Sequence, residues 1–290
     1  MRRACIDIGS NTTRLLVAEC AEHWIEEIHQ ERAFTHLGSG READGAIAPE
    51  KLAEVAGLVA TQAENAQRLG CGEVRAVATA AIRRAPNGEA LAVAVREACG
   101  LEVQILTGEE EARLAFRGAA RAFRHLSEGE LGVVDGGGGS TELAVGQVPD
   151  RVRWSASLPF GSADLAGTHL HSDPPSAAEL ARARAEVASV FADLDVPHPA
   201  EAAAVGGSAA SLARVGGRVL GSAAFARALG DVVAAPRREV AARFELDVER
   251  VRLLPAALLI LEAVSERFGV PLVFVGGGLR EALLMEAARG

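Results

Sequence analysis

The sequence predicts an α/β protein of two domains, and three observations predict it. The 290 residues are 49% hydrophobic and 24% charged, a length beyond the ~100–200 residues of a usual single domain. Strand-like apolar runs alternate with helical segments, the pattern of a sheet with crossover helices. A strand–glycine turn–strand unit also recurs at a constant offset of 128 positions, Asp135 against Asp7. Gly9 then matches Gly137, Thr12 matches Ser140, Thr13 matches Thr141, Leu15 matches Leu143 and Val17 matches Val145. Six matches without a gap mark a duplicated unit.

Taken in order, Ala4 to Ile8 reads as a buried strand that ends at Gly9-Ser10. Thr13 to Cys20 follows as a second strand and Trp24 to Phe34 as a third. Pro49 opens a helix to Leu69, its missing donor harmless at the first turn. Val74 to Thr79 is a strand, Asn87 caps a helix to Cys99, Val103 to Leu106 is a strand, and Glu109 to Phe123 is a helix. The polar segment from Arg124 to Glu130 places the domain boundary at 125/126, giving domains 1–125 and 126–290. Leu131 to Asp135 begins the second domain, followed by Val152 to Leu158, a helix from Ala177 to Leu194, and a strand at Ala202 to Val205 meeting a glycine turn. A helical region from Asp247 to Phe268, a strand after Pro271 and a last helix from Leu279 to Ala288 complete it, the last helix able to pack back on the first domain.

Composition excludes several functions. The net charge is −9 and Lys51 is the only lysine, so the surface is unsuited to nucleic-acid backbones and no nucleic-acid partner is expected. The four cysteines, Cys5, Cys20, Cys71 and Cys99, lack metal-ligand spacing and read as buried free thiols of a cytoplasmic protein. The apolar stretch after Arg3 stops at Asp7, short of a signal peptide, and Leu253 to Val264 falls short of the ~20 residues of a span, so no membrane association is expected. The histidines form no ligand pattern. His169 and His171 read as a surface pair, and Arg182 and Arg184 as solvated side chains.

An acidic chain must hold an anion with local donors. Strand-end glycine turns at Gly9, Gly137, Gly206 and Gly276 let backbone N–H groups converge on phosphate oxygens because no Cβ blocks the approach. Neither a Walker loop nor a dinucleotide-binding GxGxxG is present. Asp7 and Asp135, at strand ends before such turns, either hold a divalent cation or cap the turn. Glu109, Glu110 and Glu111 by themselves read as dipole partners of a helix N-terminus.

The segments Asp7-Ile-Gly-Ser-Asn-Thr-Thr-Arg-Leu, Thr79-Ala-Ala-Ile-Arg-Arg-Ala-Pro-Asn, Thr107-Gly-Glu-Glu-Glu-Ala-Arg-Leu and Asp135-Gly-Gly-Gly-Gly-Ser-Thr-Glu-Leu, in this order, resemble the exopolyphosphatase/guanosine pentaphosphate phosphatase (Ppx/GppA) family. The later Val205-Gly-Gly-Ser and Val275-Gly-Gly-Gly-Leu-Arg-Glu extend the likeness over nearly the whole chain. The resemblance implies two actin-like (ribonuclease H-like) domains with mixed sheets flanked by helices and an active-site cleft between them. It also implies dependence on Mg²⁺, with Mn²⁺ as a substitute, and release of terminal orthophosphate from inorganic polyphosphate. Guanosine pentaphosphate is the alternative substrate, and a non-catalytic polyphosphate- or alarmone-binding protein the alternative class.

Carried over by position, Glu111 resembles the catalytic carboxylate that activates water, and Glu142 a second active-site acid that also serves the metal. Asp135 and Asp7 complete the implied metal set. Ser10, Asn11, Arg83, Gly137, Gly138, Ser140 and Thr141 would hold phosphate. The two glycine turns are expected to converge with Glu111 and Arg83 on one small anion. The chain stops at Gly290, without the further helical domain of longer family members, which points to shorter polyphosphates. A homodimer is the base-rate expectation.

Overall fold

The middle of strand β1 (Arg2–Ile8) is buried on both faces, and the architecture around it follows. Ala4, Ile6 and Ile8 enter one core while Cys5 enters another on the opposite side. A strand covered on both faces belongs in the middle of a sheet with helices on either side. The computed structural model describes residues 1–21, 24–38, 42, 44–123, 125–126 and 129–287. His23, Arg124, Ser127 and Glu128 of the polar segment, and the expected helix end at Ala288, lie outside the described residues.

β2 (Thr12–Ala21) runs antiparallel to β1, and β3 (Trp24–Phe34) antiparallel to β2. Helix α1 (Pro49–Arg68) leads to β4 (Glu73–Ala78), parallel to β1. Its Leu52, Val55, Ala56, Val59, Ala63 and Ala66 form one apolar stripe against the Ala4–Ile8 face. The short α2 (Ala80–Arg83) and α3 (Glu89–Cys99) precede β5 (Val103–Ile105), parallel to β4, and the sheet order is β3-β2-β1-β4-β5. Gly88, not Asn87, is the N-cap of α3. The Asn87 amide pairs instead with Ile47, donating to its carbonyl at 2.8 Å and accepting from its N–H at 2.9 Å. Helix α4 (Gly108–Ala120) ends in a single 3₁₀ turn at Arg121–Phe123.

The second sheet is built from β6 (Leu131–Gly136), β7 (Thr141–Gln147) and β8 (Arg151–Leu158), which form an antiparallel meander. Helices α5 (Ser162–His169) and α6 (Ala177–Phe191) lead to β9 (Glu201–Val205), parallel to β6. Ser176 and Glu179 close a capping box on α6. Four donors from His171, Ser172 and Ser176 hold the Glu179 carboxyl well below its ordinary range, the Ser176 N–H foremost. Then come α7 (Gly206–Gly216), β10 (Val219–Leu220), α8 (Ser222–Val233), α9 (Arg237–Phe244), α10 (Val248–Phe268), β11 (Leu272–Phe274) and α11 (Leu279–Glu286). The order β10-β11-β9-β6-β7-β8 repeats that of the first sheet, with β10 added at one edge. Between Leu253 and Leu261 α10 is buried on all sides, which matches the unbroken apolar run there. Among the described residues no helix is long and apolar enough to cross a membrane.

By packing, Met1–Leu114 with Leu279–Gly290 forms one unit and Ala115–Gly278 the other. The division falls inside α4, ahead of the expected position at 125/126. The reason is local: Leu114 joins the first unit's core, whereas Gly118 packs on the Gly276–Gly278 turn of the second. A Cβ on Gly118 would stand 2.3 Å from the Gly278 carbonyl oxygen. Gly118→Ala is therefore expected to destabilise the protein by about 1–3 kcal/mol, the usual cost of overpacking, measurable as a lowered midpoint in urea.

Other side chains depart from expectation. Cys71 and Cys99 are half-buried; only Cys5 and Cys20 are buried thiols. His169 bonds Glu186 from a mostly buried position, whereas Arg184 is exposed as expected and pairs there with Glu262 at 2.5 Å.

Candidate active site

The duplication seen in the sequence is exact in register. Asp7 stands opposite Arg14 across β1–β2, and Asp135 opposite Glu142 across β6–β7. In the first turn the Gly9 N–H donates to the Thr12 carbonyl at 3.0 Å; in the second Gly137 donates to Ser140 at 3.0 Å. The same turn thus carries different charges: one carboxylate with one guanidinium in the first unit, two carboxylates in the second.

In the first unit, Ser10 and Asn11 are buried within the turn. The Asn11 carbonyl accepts the Thr35 and His36 N–H groups, and the Ser10 carbonyl accepts that of Gly38. His36 donates from Nδ1 to Asn11 Oδ1 at 3.0 Å, which turns Nδ2 the other way. That Nδ2 is buried and has no partner among the described residues. An unmade bond on a buried donor costs about 1–3 kcal/mol, so its presence calls for a ligand.

The three acids opening α4 have separate fates. Glu110 caps the helix, accepting from the Thr107 N–H at 2.7 Å and hydroxyl at 2.9 Å, and Glu109 is exposed. Glu111 turns inward and is buried, accepting from Arg83 Nη1 at 2.9 Å. The same Nη1 donates to the Leu106 carbonyl at 2.8 Å, so Arg83 fixes Glu111 against the end of β5. A plain dipole role therefore describes Glu109 and Glu110 but not Glu111.

Asp7, also in this unit, keeps part of its surface open. Burial pushes its carboxyl above the ordinary range, against the pull of Arg280 and then Arg14. With two guanidiniums already offsetting it, Asp7 is a poorer cation ligand than the acids of the second unit.

There, Glu142 is almost wholly buried, and both its oxygens accept serine hydroxyls: Ser157 at 2.8 Å and Ser140 at 3.1 Å. Thr141 donates its hydroxyl to the Phe160 carbonyl at 2.8 Å. The Ser140 and Thr141 hydroxyls and the Gly137 N–H are committed to the protein, which leaves the main-chain N–H groups of Gly138 and Ser140 as the turn's donors toward a ligand. The turn is braced by α5: Ser162 N–H and hydroxyl both donate to the Gly137 carbonyl, and Ala163 N–H donates to that of Gly138. Asp135 is half-buried, and its Oδ1 occupies the place a Cβ of Gly206 would take, 2.3 Å from the ideal position. Sequence inspection picks out Gly206 as a turn, but not its role as the space for Asp135, which is a long-range contact.

Among the described residues no three His, Cys, Asp or Glu side chains form a metal cage. Asp135 and Glu142 instead offer two hard carboxylates opposite each other on adjacent strands. That donor set fits Mg²⁺, which is usually held by one or two carboxylates together with water and substrate phosphate.

The duplicated sheets with a glycine turn after each first strand define an actin-like α/β protein. A model of the Ppx/GppA phosphatase family matches residues 16–289, and the chain belongs to that family. Exopolyphosphatase 2 of Mycobacterium tuberculosis is 35% identical over 199 residues, covering 63% of this chain and 59% of that protein. Exopolyphosphatase 1 of Mycobacterium bovis is 30% identical over 303 residues, covering 98% and 88%. The crystal structure of the Aquifex aeolicus family member aligns with a TM-score of 0.82 and 29% identity, over 100% of this chain and 98% of that one. An exopolyphosphatase structure from Cytophaga hutchinsonii, at 23% identity and a TM-score of 0.86, shows the same fold.

Proposed function

We propose that the protein is an exopolyphosphatase that releases terminal orthophosphate from inorganic polyphosphate with Mg²⁺. Family membership and relatives at 30–35% identity support this reading. The observation that carries it is the buried, unpartnered Asn11 Nδ2 in the first glycine turn, a donor prepared for an anionic oxygen.

In this reading Asn11, the Ser10 hydroxyl and main-chain N–H groups of the Gly138–Ser140 segment bind phosphate oxygens, while Gly137 and Thr141 hold that segment in place through their own backbone pairing. Glu111 takes a proton from the water that attacks the terminal phosphorus, while the phosphoanhydride bond to the rest of the chain breaks. Arg83 orients Glu111 through the bond from its Nη1, in addition to any contact with phosphate. Asp135 and Glu142 hold the metal, which supplies charge neutralisation at the phosphates.

The test is orthophosphate release from polyphosphates of defined length, with guanosine pentaphosphate alongside. Release with Mg²⁺ is expected, lost at least about 100-fold on chelation, as for a metal that neutralises developing charge. Mn²⁺ is expected to restore part of it. No release from any polyphosphate would overturn the reading, and faster turnover of guanosine pentaphosphate would reassign the substrate.

A further inference from the structure

The motif Val275-Gly-Gly-Gly-Leu-Arg-Glu has no part in the chemistry above, yet it delivers a guanidinium to the first glycine turn. Helix α11 packs on β1 and β2, placing Leu279, Ala282, Leu283 and Leu284 against Cys5, Leu16, Ala18 and Cys20. Alternation along the strands puts Asp7 and Arg14 on this same face, at the end nearest the turn. Arg280, in the first turn of α11, is the strongest cationic influence on Asp7, ahead of Arg14, with Glu281 opposing both. Its Nη1 is buried without a hydrogen-bond partner among the described residues.

We propose that Arg280 is a positioning residue of the phosphate turn: it offsets the Asp7 carboxylate, two residues before Gly9, so that a polyanion meets a neutral rather than a negative strand end. The inference rests on reading the Gly9–Thr12 turn as a phosphate site. In the second unit the acid opposite the equivalent aspartate is Glu142, and the cation that this pair would hold would offset both carboxylates. In the first unit Arg14 fills the equivalent position, and Arg280 adds a second positive charge. The guanidiniums of Arg280 and Arg14 offset the repulsion that the Asp7 carboxylate would exert on a polyanion. Arg280 acts through Asp7 and need not touch substrate.

The experiment compares wild type, Arg280→Met and Arg280→Lys at low and high ionic strength. It measures KM and kcat for tripolyphosphate, and tripolyphosphate affinity by isothermal titration in the presence of Mg²⁺. Arg280→Met is expected to weaken binding and raise KM about tenfold at low salt, with kcat changed less, since one uncompensated charge near a polyanion has that scale. The deficit should shrink as salt screens it. Arg280→Lys should restore most of the affinity. Equal affinity in wild type and Arg280→Met overturns the proposal, as does a deficit that lysine fails to rescue and salt leaves unchanged, the signature of lost packing alone. If Arg280→Met does not fold, Arg280→Gln replaces it in the same measurements. A wild type that neither binds nor hydrolyses tripolyphosphate defeats the exopolyphosphatase reading itself, and with it this one.

Discussion

Glu111→Gln is expected to lower kcat for orthophosphate release by about 10²–10⁴-fold, the usual contribution of a positioned general base. The amide retains the shape of the side chain and an oxygen for the Arg83 Nη1 that Glu111 now engages at 2.9 Å. Stability should therefore change little, and tripolyphosphate should still bind. The neighbouring acids provide the contrast. Glu110→Gln weakens the bonds from Thr107 and should cost about 1 kcal/mol of stability, typical for a capping group, with kcat nearly unchanged. Glu109→Gln, at an exposed position, should alter neither. Steady-state kinetics and urea unfolding on the three variants separate catalysis from capping within a single helical turn.

Gly206→Ala is expected to combine the largest loss of metal dependence with a loss of stability. Two conditions meet at this residue. Its φ of +86° lies where a side chain is strained, and its Cβ would stand 2.3 Å from Asp135 Oδ1. Strain of this kind costs of order 1–3 kcal/mol. The carboxylate must also move, and the variant should need at least about tenfold more Mg²⁺ for half-maximal rate, within the 10–100-fold cost typical of disturbed metal surroundings. Gly217→Ala is the control: its φ is +85°, but nothing lies within 4 Å of the added carbon. It should lose stability from strain while its Mg²⁺ requirement stays that of wild type. Equal Mg²⁺ requirements in the two variants would remove Asp135 from the metal site.

The strands that carry chemistry were legible because their signals are local. β1, β2, β6 and β7 are short apolar runs broken by glycine, and the offset of 128 predicts their shared register, down to the matching Gly9–Thr12 and Gly137–Ser140 bonds. Helices α2, α5, α8 and α9 and strand β10 were not legible. α2 has four residues and β10 two, so tertiary packing rather than periodicity defines them. α9 carries little apolar periodicity. The three consecutive acids of α4 could not be told apart by position alone. Which one turns inward depends on Arg83, twenty-eight residues away in the chain. The same holds for Gly206 beneath Asp135, a contact between a helix start and a strand far apart in sequence, and for Ser157 beside Glu142, which depends on the register of β7 against β8. The division inside α4 was hidden for a related reason: Leu114 joins a core of the first unit and Gly118 meets the Gly276–Gly278 backbone of the second, and a continuous helical pattern gives no sign of where one unit ends.

The most direct measurement is hydrolysis of tripolyphosphate by the wild-type protein with Mg²⁺ in ¹⁸O-labelled water, followed by mass analysis of the products. Attack by a Glu111-activated water on the terminal phosphorus predicts that each newly released orthophosphate carries a solvent oxygen, and that the remaining pyrophosphate carries none from that first cleavage. Absence of released orthophosphate, or label found in the pyrophosphate fragment instead, would contradict it.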